Sequence, residues 1–178
     1  ADFAPGVRLT LRPFFGSIGV APPVLNGRVS SRPPGYWAGN LDNKEMRPGT
    51  VLYLPVHATG GLLSIGDGHA LQGDGEVSGT AIETSMRGTI RVVLRKDLAL
   101  DWPRAETEEH YMTMGLDPDL DEAARRATRE MVAFLVDEKG LSRDDAYILC
   151  SLSMDLRVTQ LVDGTKGIHA MVPKSIFY

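Results

Sequence analysis

The sequence predicts a mainly β fold with an α+β tail: a β-sandwich or jelly-roll-like half, followed by a helical hairpin and a short β-hairpin. Up to about Leu98, short runs of β-branched and apolar residues alternate with Gly and Pro, and helical periodicity is absent. From Asp117 onward, apolar residues recur every three to four positions, which is typical of an amphipathic helix. We therefore divide the chain into a β-rich domain, residues 1–98, and an α+β segment, residues 99–178, that packs on it as one continuous unit.

The β-rich domain contains four predicted strands. Each is an apolar run bounded by turn residues, such as the Pro48-Gly49 pair and the Arg87-Gly88 pair. The second run, GLLSI, leads into an acidic, glycine-rich loop. The predicted strands are 51–54, 61–65, 80–86 and 89–94, and we expect the last two to form a pair.

Two helices and a hairpin are predicted in the α+β segment. Asp119 is a suitable N-terminal cap for the first helix, and Gly140 is a suitable stop. Ser142 and Asp145 then form a capping-box pattern, which opens a second helix through Leu152. A strand at 156–162, the Asp163-Gly164 turn and a returning strand at 168–172 complete the hairpin.

The composition excludes several classes of protein. There are 19 Lys and Arg against 23 Asp and Glu, and the basic residues are scattered, so no nucleic-acid partner is expected. No apolar run approaches the ~18 residues that span a bilayer, so we expect no membrane partner and a cytoplasmic location. Cys150 is the only cysteine, and its leucine neighbours predict a buried side chain without a catalytic role.

The stretch GDGHALQGDGEVSGTAIE, residues 66–83, combines carboxylates, an imidazole and glycines in a way that indicates a divalent-metal site of a small-molecule hydrolase. Asp67 and His69 are two positions apart, so both side chains would face one side of an extended strand. Asp74 and Glu76 repeat this spacing after a glycine bend. The predicted metal ligands are Asp67, His69 and Asp74, the candidate catalytic residues are Glu76 and Glu83, and the candidate substrate-binding or supporting residues are Asn40, Asp42 and Gln72.

Three long motifs resemble the acetamidase/formamidase family. They are GNLDNKEMRPGTVLYLPV at 39–56, GDGHALQGDGEV with its GTAIE continuation at 66–83, and DDAYILCSLSMDLRVTQLVD at 144–163. The resemblance implies hydrolysis of short aliphatic amides such as formamide and acetamide, a bound divalent metal, and a homo-oligomer. Family members are much longer, so the chain resembles their C-terminal half to two-thirds. A missing N-terminal segment or an N-terminal partner chain is therefore implied.

A metal held by Asp67 and His69 would lower the pKa of bound water from ~15.7 to ~7 and withdraw charge from the amide carbonyl. One carboxylate not engaged by the metal, Glu76 in preference to Glu83, would take the water proton and pass it to the leaving nitrogen. Zinc is the favoured metal, although these ligand types also admit manganese, nickel and iron, and calcium if the imidazole is not a ligand.

Other interpretations stay open. Acidic glycine-rich loops are often solvated turns, and Asn40 with Asp42 suits turn stabilisation as well as contact with a substrate. His57, His110 and His169 are isolated in the sequence, so we leave them out of the site. The alternative function is a non-catalytic binding or assembly half of a split or processed enzyme. A sugar-binding jelly-roll is a weaker third choice, because it would not need so many acids beside one histidine.

Overall fold

The computed structural model describes residues 1–178 and contains eleven strands and two α-helices. The strands are β1 (Asp2–Ala4), β2 (Val7–Arg8), β3 (Phe14–Gly19), β4 (Ala38–Asn40), β5 (Val51–Tyr53), β6 (Ser64–Leu71), β7 (Ile82–Glu83), β8 (Arg104–Glu106), β9 (His110–Asp117), β10 (Asp155–Gln160) and β11 (Lys166–Pro173). The helices are α1 (Leu120–Lys139) and α2 (Arg143–Ser153), and short 3-10 helices occupy Val24–Asn26 and Lys174–Ile176.

Two antiparallel sheets make up most of the fold. The larger one has five strands in the order β10, β11, β9, β8, β5, and the smaller one has four in the order β4, β3, β6, β7. β1 and β2 form a separate ribbon. β5 pairs with β8 across the proposed division at residue 98, and that division stays a prediction.

Side-chain caps set the starts of both helices and a glycine sets the end of α1, as the sequence predicts. The Asp119 carboxylate accepts hydrogen bonds from two backbone N–H groups in the first turn of α1. Gly140 ends α1 in the left-handed conformation, at φ 69°, and its N–H reaches back to the carbonyls of the last turn. The Ser142 hydroxyl accepts from the Asp145 N–H at the start of α2. These two helices form the predicted helical hairpin.

One hydrophobic core lies between α1 and the large sheet. Ala123, Ala127, Met131 and Leu135 recur on one face of α1 and are completely buried, against Ile168, Ala170 and Val172 of β11. The helix approaches β9 so closely that a Cβ on Gly115 would lie 1.9 Å from the Ala123 carbonyl oxygen. Only glycine permits this contact at that position. Cys150 belongs to the same core, so the prediction of a buried side chain is confirmed.

A second core covers the opposite face of the large sheet. Met112, Met114 and Met171 point to this face, because side chains alternate along each strand. They pack against Leu41 and Met46, which follow β4. The segment between β4 and β5 is thereby held against the face of the sheet that α1 leaves free.

The predicted fold class is confirmed: the chain is mainly β, with a helical hairpin followed by a β-hairpin near its C-terminus. The strand at 51–54 is confirmed as β5, whereas the run at 61–65 contributes only its last two residues to β6. The acidic stretch is therefore partly strand, since β6 continues to Leu71. Neither helix is long and apolar enough to cross a membrane.

The predicted pairing of 80–86 with 89–94 is wrong. Within these ranges only Ile82 and Glu83 form a strand, and they pair with β6. Residues 89–94 have β-forming side chains but pair with no other strand. Propensity predicts which residues suit a sheet, but it does not provide the partner strand that a sheet requires.

We expect Gly115→Ala to destabilise the protein by about 2 kcal/mol or more, since the new methyl group meets the rigid backbone of α1. Gly66→Ala is the matched control, because a Cβ on Gly66 of β6 meets no atom within 4 Å. We expect it to change stability by less than about 1 kcal/mol. Urea unfolding of both variants measures the difference, and equal losses would contradict this account of the contact between α1 and β9.

Candidate active site

The site is built around His69 on β6. The imidazole is buried, and its ring contacts the edge of Phe14 on the neighbouring strand, with ring centroids 5.1 Å apart. His69 Nε2 lies 3.2 Å from Asp67 Oδ1 and 3.4 Å from Glu83 Oε2. β6 and β7 are paired strands, with His69 directly opposite Glu83, and this pairing brings Glu83 to the imidazole.

Gln72 fixes the orientation and the proton of the imidazole. Its Nε2 donates to the Asp42 carbonyl oxygen at 2.6 Å, and its Oε1 lies 2.8 Å from His69 Nδ1. Because a carbonyl oxygen only accepts, the Gln72 amide nitrogen faces Asp42 and its oxygen faces the ring. His69 Nδ1 therefore carries a hydrogen, and in the neutral ring the Nε2 lone pair faces Asp67 and Glu83.

Asp42 and Glu76 provide two further carboxylates near His69, and both of these are buried. Ligand atoms of Asp42, His69 and Glu76 all lie within 4.8 Å of one another, and the same holds for Asp67, His69 and Glu83. Asp42 and Glu76 are only 2% and 8% exposed, and Asp42 Oδ1 is buried without a hydrogen-bond partner. An unpaired buried carboxylate oxygen is unfavourable unless something else binds it.

Gly16 of β3 lies against three of these groups, and its missing side chain leaves the space between them open. A Cβ there would lie 2.7 Å from Asp42 Oδ1 and 2.8 Å from both Asp67 Oδ2 and the His69 ring. One imidazole nitrogen and several carboxylate oxygens around a small space are the donor set that zinc and similar divalent ions accept. The residues present therefore fit a divalent metal.

Burial and mutual repulsion raise the pKa values of two acids in this cluster. Burial, together with a hydrogen bond with Asp163 and the charge of Glu76, raises the pKa of Asp42 to about 9. Burial also raises the pKa of Glu76, against the opposing effect of His69. Carboxylates this close are not all ionised together unless a cation offsets their charge. The raised pKa values of Asp42 and Glu76 thus favour a bound cation, as the types of ligand in the cluster also do.

Asp163 joins the site from the far end of the chain. The Asn40 amide donates to Asp42 Oδ2 at 3.2 Å and to Asp163 Oδ2 at 3.1 Å, and so holds the two carboxyl groups together. We predicted Asp163 only as part of a turn between two strands. The one signal in the sequence was its place as the last residue of the third family motif.

The end of β10 supports both Asp163 and Glu76. Gly75 N–H donates to the Thr159 carbonyl at 3.2 Å, and the Gly75 carbonyl accepts from Leu161 N–H at 3.0 Å. The buried Gln160 accepts from the N–H groups of Val162 and Asp163 and donates to the Thr165 carbonyl. One hairpin therefore holds two separate parts of the acidic cluster in place.

The structure gathers most of the residues that the sequence analysis selected. Asp74 lies elsewhere: its carboxylate forms an ion pair with Lys44 Nζ at 2.9 Å. The glycine bend explains this, since Gly75 has φ 90° and Glu76 has φ 43°, and these conformations break the alternation of a strand. The residues that meet at or next to His69 are Asn40, Asp42, Asp67, Gln72, Glu76 and Glu83.

Comparison with known proteins identifies the family of this chain. Residues 26–178 match the model of the Acetamidase/Formamidase family. This chain belongs to the acetamidase/formamidase family. An acetamidase from Yersinia enterocolitica has a similar solved structure, with 39% sequence identity and a TM-score of 0.92. An acetamidase from Bacillus halodurans has 37% identity and a TM-score of 0.88.

The chain is shorter than these members of the family. It aligns over 96% of its own length with the Yersinia acetamidase, but over only 51% of that protein. The corresponding values for the Bacillus acetamidase are 98% and 59%. A formamidase from Methylophilus methylotrophus is 44% identical over 66 residues, which are 36% of this chain and 16% of that protein.

His169 is a second completely buried histidine, and it is not one of the residues that meet at His69. Its Nδ1 lies 2.8 Å from the Thr159 hydroxyl, and its Nε2 has no hydrogen-bond partner. Burial lowers the pKa of His169 to about 4, compared with 6.5 for an exposed histidine. The folded protein therefore keeps this imidazole neutral in the range where the unfolded chain binds a proton.

We expect His169 to make stability depend on pH between 6.5 and 4. Because the folded pKa is the lower one, its contribution is fully present above 6.5 and is lost as the pH falls toward 4, by about 3 kcal/mol in total. His169→Gln removes the titrating group, so its free energy of unfolding falls less steeply over this range. Urea unfolding at several pH values tests this, and parallel curves for the two proteins would contradict it.

Proposed function

We propose that this chain carries the active site of a metal-dependent hydrolase, which cleaves short aliphatic amides such as formamide and acetamide to a carboxylate and ammonia. The observation that supports it most directly is the convergence of four carboxylates on one buried imidazole, two of which lie with that imidazole against Gly16. The names of the related proteins, acetamidase and formamidase, support the same class of substrate.

His69, Asp42 and Asp67 are the residues that would hold the metal. His69 offers Nε2, because Gln72 occupies Nδ1. Asp42 offers its unpartnered Oδ1, and Asp67 lies beside it above Gly16. Zinc is the metal we favour for a mixed set of imidazole and carboxylates. When bound, such an ion lowers the pKa of water to about 7 and polarises a carbonyl oxygen.

Glu76 suits the role of proton carrier better than Glu83. It is buried, and burial raises its pKa, which makes its carboxylate a better acceptor for a proton near neutral pH. In the reaction, Glu76 would take a proton from the attacking water as the water oxygen bonds to the carbonyl carbon. Glu76 would then give this proton to the nitrogen as the carbon–nitrogen bond breaks, so that the nitrogen leaves as ammonia. Glu83 is half-exposed and accepts hydrogen bonds from its own loop.

The whole protein has further predicted properties. Since the chain spans 51% to 59% of the solved relatives, we propose that a segment corresponding to their remaining length completes the enzyme, on this polypeptide or on a partner chain. Homo-oligomerisation and a cytoplasmic location stay predictions. The alternative is that this chain is a non-catalytic half whose acidic cluster serves only for binding or assembly.

The ligand assignment predicts different outcomes for two similar aspartates. We expect Asp42→Asn and His69→Ala each to weaken zinc binding at least about tenfold, or about 1.4 kcal/mol. Asp74→Asn is the matched control and should leave zinc affinity within about twofold, because Asp74 pairs with Lys44. Calorimetric titration with zinc measures all three. Equal losses in Asp42→Asn and Asp74→Asn would contradict the assignment.

A second pair of variants tests the role of the space next to Gly16. Gly16→Ala places a methyl group among the ligands and should abolish zinc binding, whereas Gly66→Ala in the neighbouring strand should not. Release of ammonia from formamide and acetamide by the zinc-loaded protein then tests the reaction. If zinc binds but no ammonia appears, even with the segment that completes the family length present, the non-catalytic alternative is favoured.

A further inference from the structure

Residues 88–95, with the sequence GTIRVVLR, form a surface segment that we name the arm. Each of its residues is exposed, it lies in no helix or strand, and none of its backbone N–H or C=O groups has a partner within the chain. Ile90, Val92, Val93 and Leu94 are between 47% and 73% exposed. Consecutive exposed side chains of this kind are unusual on a free protein surface.

The arm is attached to the body at both ends. At its start, Gly88 lies against Phe15 of β3, where a Cβ would be 2.5 Å from the phenyl ring. At its end, Arg95 lines a groove together with Tyr53 of β5 and Arg104 of β8. The arm thus connects the edge of the large sheet with the small sheet, and its apolar middle stands free between two fixed ends.

The composition of the arm is that of a strand without a sheet. β-branched and apolar residues suit a pleated, half-buried surface, and unpaired backbone groups are a template for a strand of another segment. Adding one strand would satisfy the backbone groups and cover alternate side chains. The sequence predicts a strand here, and this chain does not contain its partner.

We infer that the arm is a docking strand for the polypeptide segment that makes up the rest of the family's length. The Yersinia acetamidase aligns with 96% of this chain, yet this alignment covers only 51% of that protein. The remaining part of such a protein needs a surface to pack on, and the arm is the longest run of exposed apolar residues that this chain offers. The proposed pairing is the same whether this segment lies on the same polypeptide or on a partner chain.

Charge argues against a second copy of this chain as the partner. From Arg87 to Lys96 the side chains include four cations and no carboxylate, and Asp97 pairs only with Arg95. Two arms side by side would place like charges opposite one another, which is unfavourable in a sheet. The complementary strand is therefore expected to carry apolar residues and to place acidic residues near Arg87, Arg91 and Lys96.

The test compares this chain alone with a fusion that adds the part of the Yersinia acetamidase that the chain lacks. Hydrogen exchange is measured on the backbone amides of the arm. We expect at least about tenfold slower exchange in the fusion at alternate amides, because one edge of the arm becomes paired. Val92→Pro should abolish this protection, whereas Leu25→Pro, at an exposed residue away from the arm, should not.

Several results would overturn the inference. One is a folded fusion whose arm exchanges as fast as in the free chain. Another is protection in the free chain that increases with its concentration, which would identify a second copy as the partner. If the fusion is insoluble, the same segment is added in trans, and unchanged exchange in the arm then counts equally against the proposal.

The inference rests on membership in the family, not on amide hydrolysis. To keep the two apart, exchange is also measured in the fusion carrying Asp42→Asn. If the arm of the unsubstituted fusion is protected but the fusion neither binds zinc nor releases ammonia, the docking strand is supported and the proposed function is contradicted. Ammonia release from a fusion whose arm exchanges rapidly would instead support the proposed function and contradict the docking strand.

Discussion

The two hydrogen bonds of the Gln72 amide are the interaction on which the acidic cluster depends. One end of the amide binds the Asp42 carbonyl and the other end binds His69 Nδ1. This single side chain sets both the tautomer of the imidazole and its distance from the segment that carries Asp42. Because the surrounding carboxylates repel one another, they stay close only if the backbone that carries them is held firmly. Gln72 and Gly16 supply that framework without charge of their own.

α1 covers one face of the large sheet, and the segment that carries Asp42 covers the opposite face. α1 packs against β9 and β11 so closely that there is no room for a methyl group on Gly115. The opposite face holds Leu41 and Met46, on either side of Asp42 in the chain. The apolar packing of Leu41 and Met46 thus helps to fix the position of the buried Asp42 carboxylate between them.

Local signals made much of the fold predictable. Caps such as Asp119 and Gly140 act within one turn of the chain, so the sequence alone reveals them. Asp67, His69 and Glu83 were also found, because a short acidic stretch contains them all. The role of Asp163 was not predictable, since it meets Asp42 through a contact that spans most of the chain. Asp74 was selected by its spacing, but the positive φ values at Gly75 and Glu76 direct its side chain toward Lys44. The strand at 89–94 was placed by propensity, which carries no information on a partner.

The support of Glu76 and Asp163 by the β10–β11 hairpin has a consequence for the order of folding. The contact between Asp42 and Asp163 closes a very long loop, and contacts of this separation form late. During synthesis the N-terminal residues emerge first, so β6 with its histidine leaves the ribosome long before the last hairpin does. Glu76 and Asp163 reach their final places only once Thr159, Gln160 and Leu161 have arrived. We therefore expect Glu76 and Asp163 to join the cluster late in folding, when the framework that holds them against the repulsion of the other acids is in place.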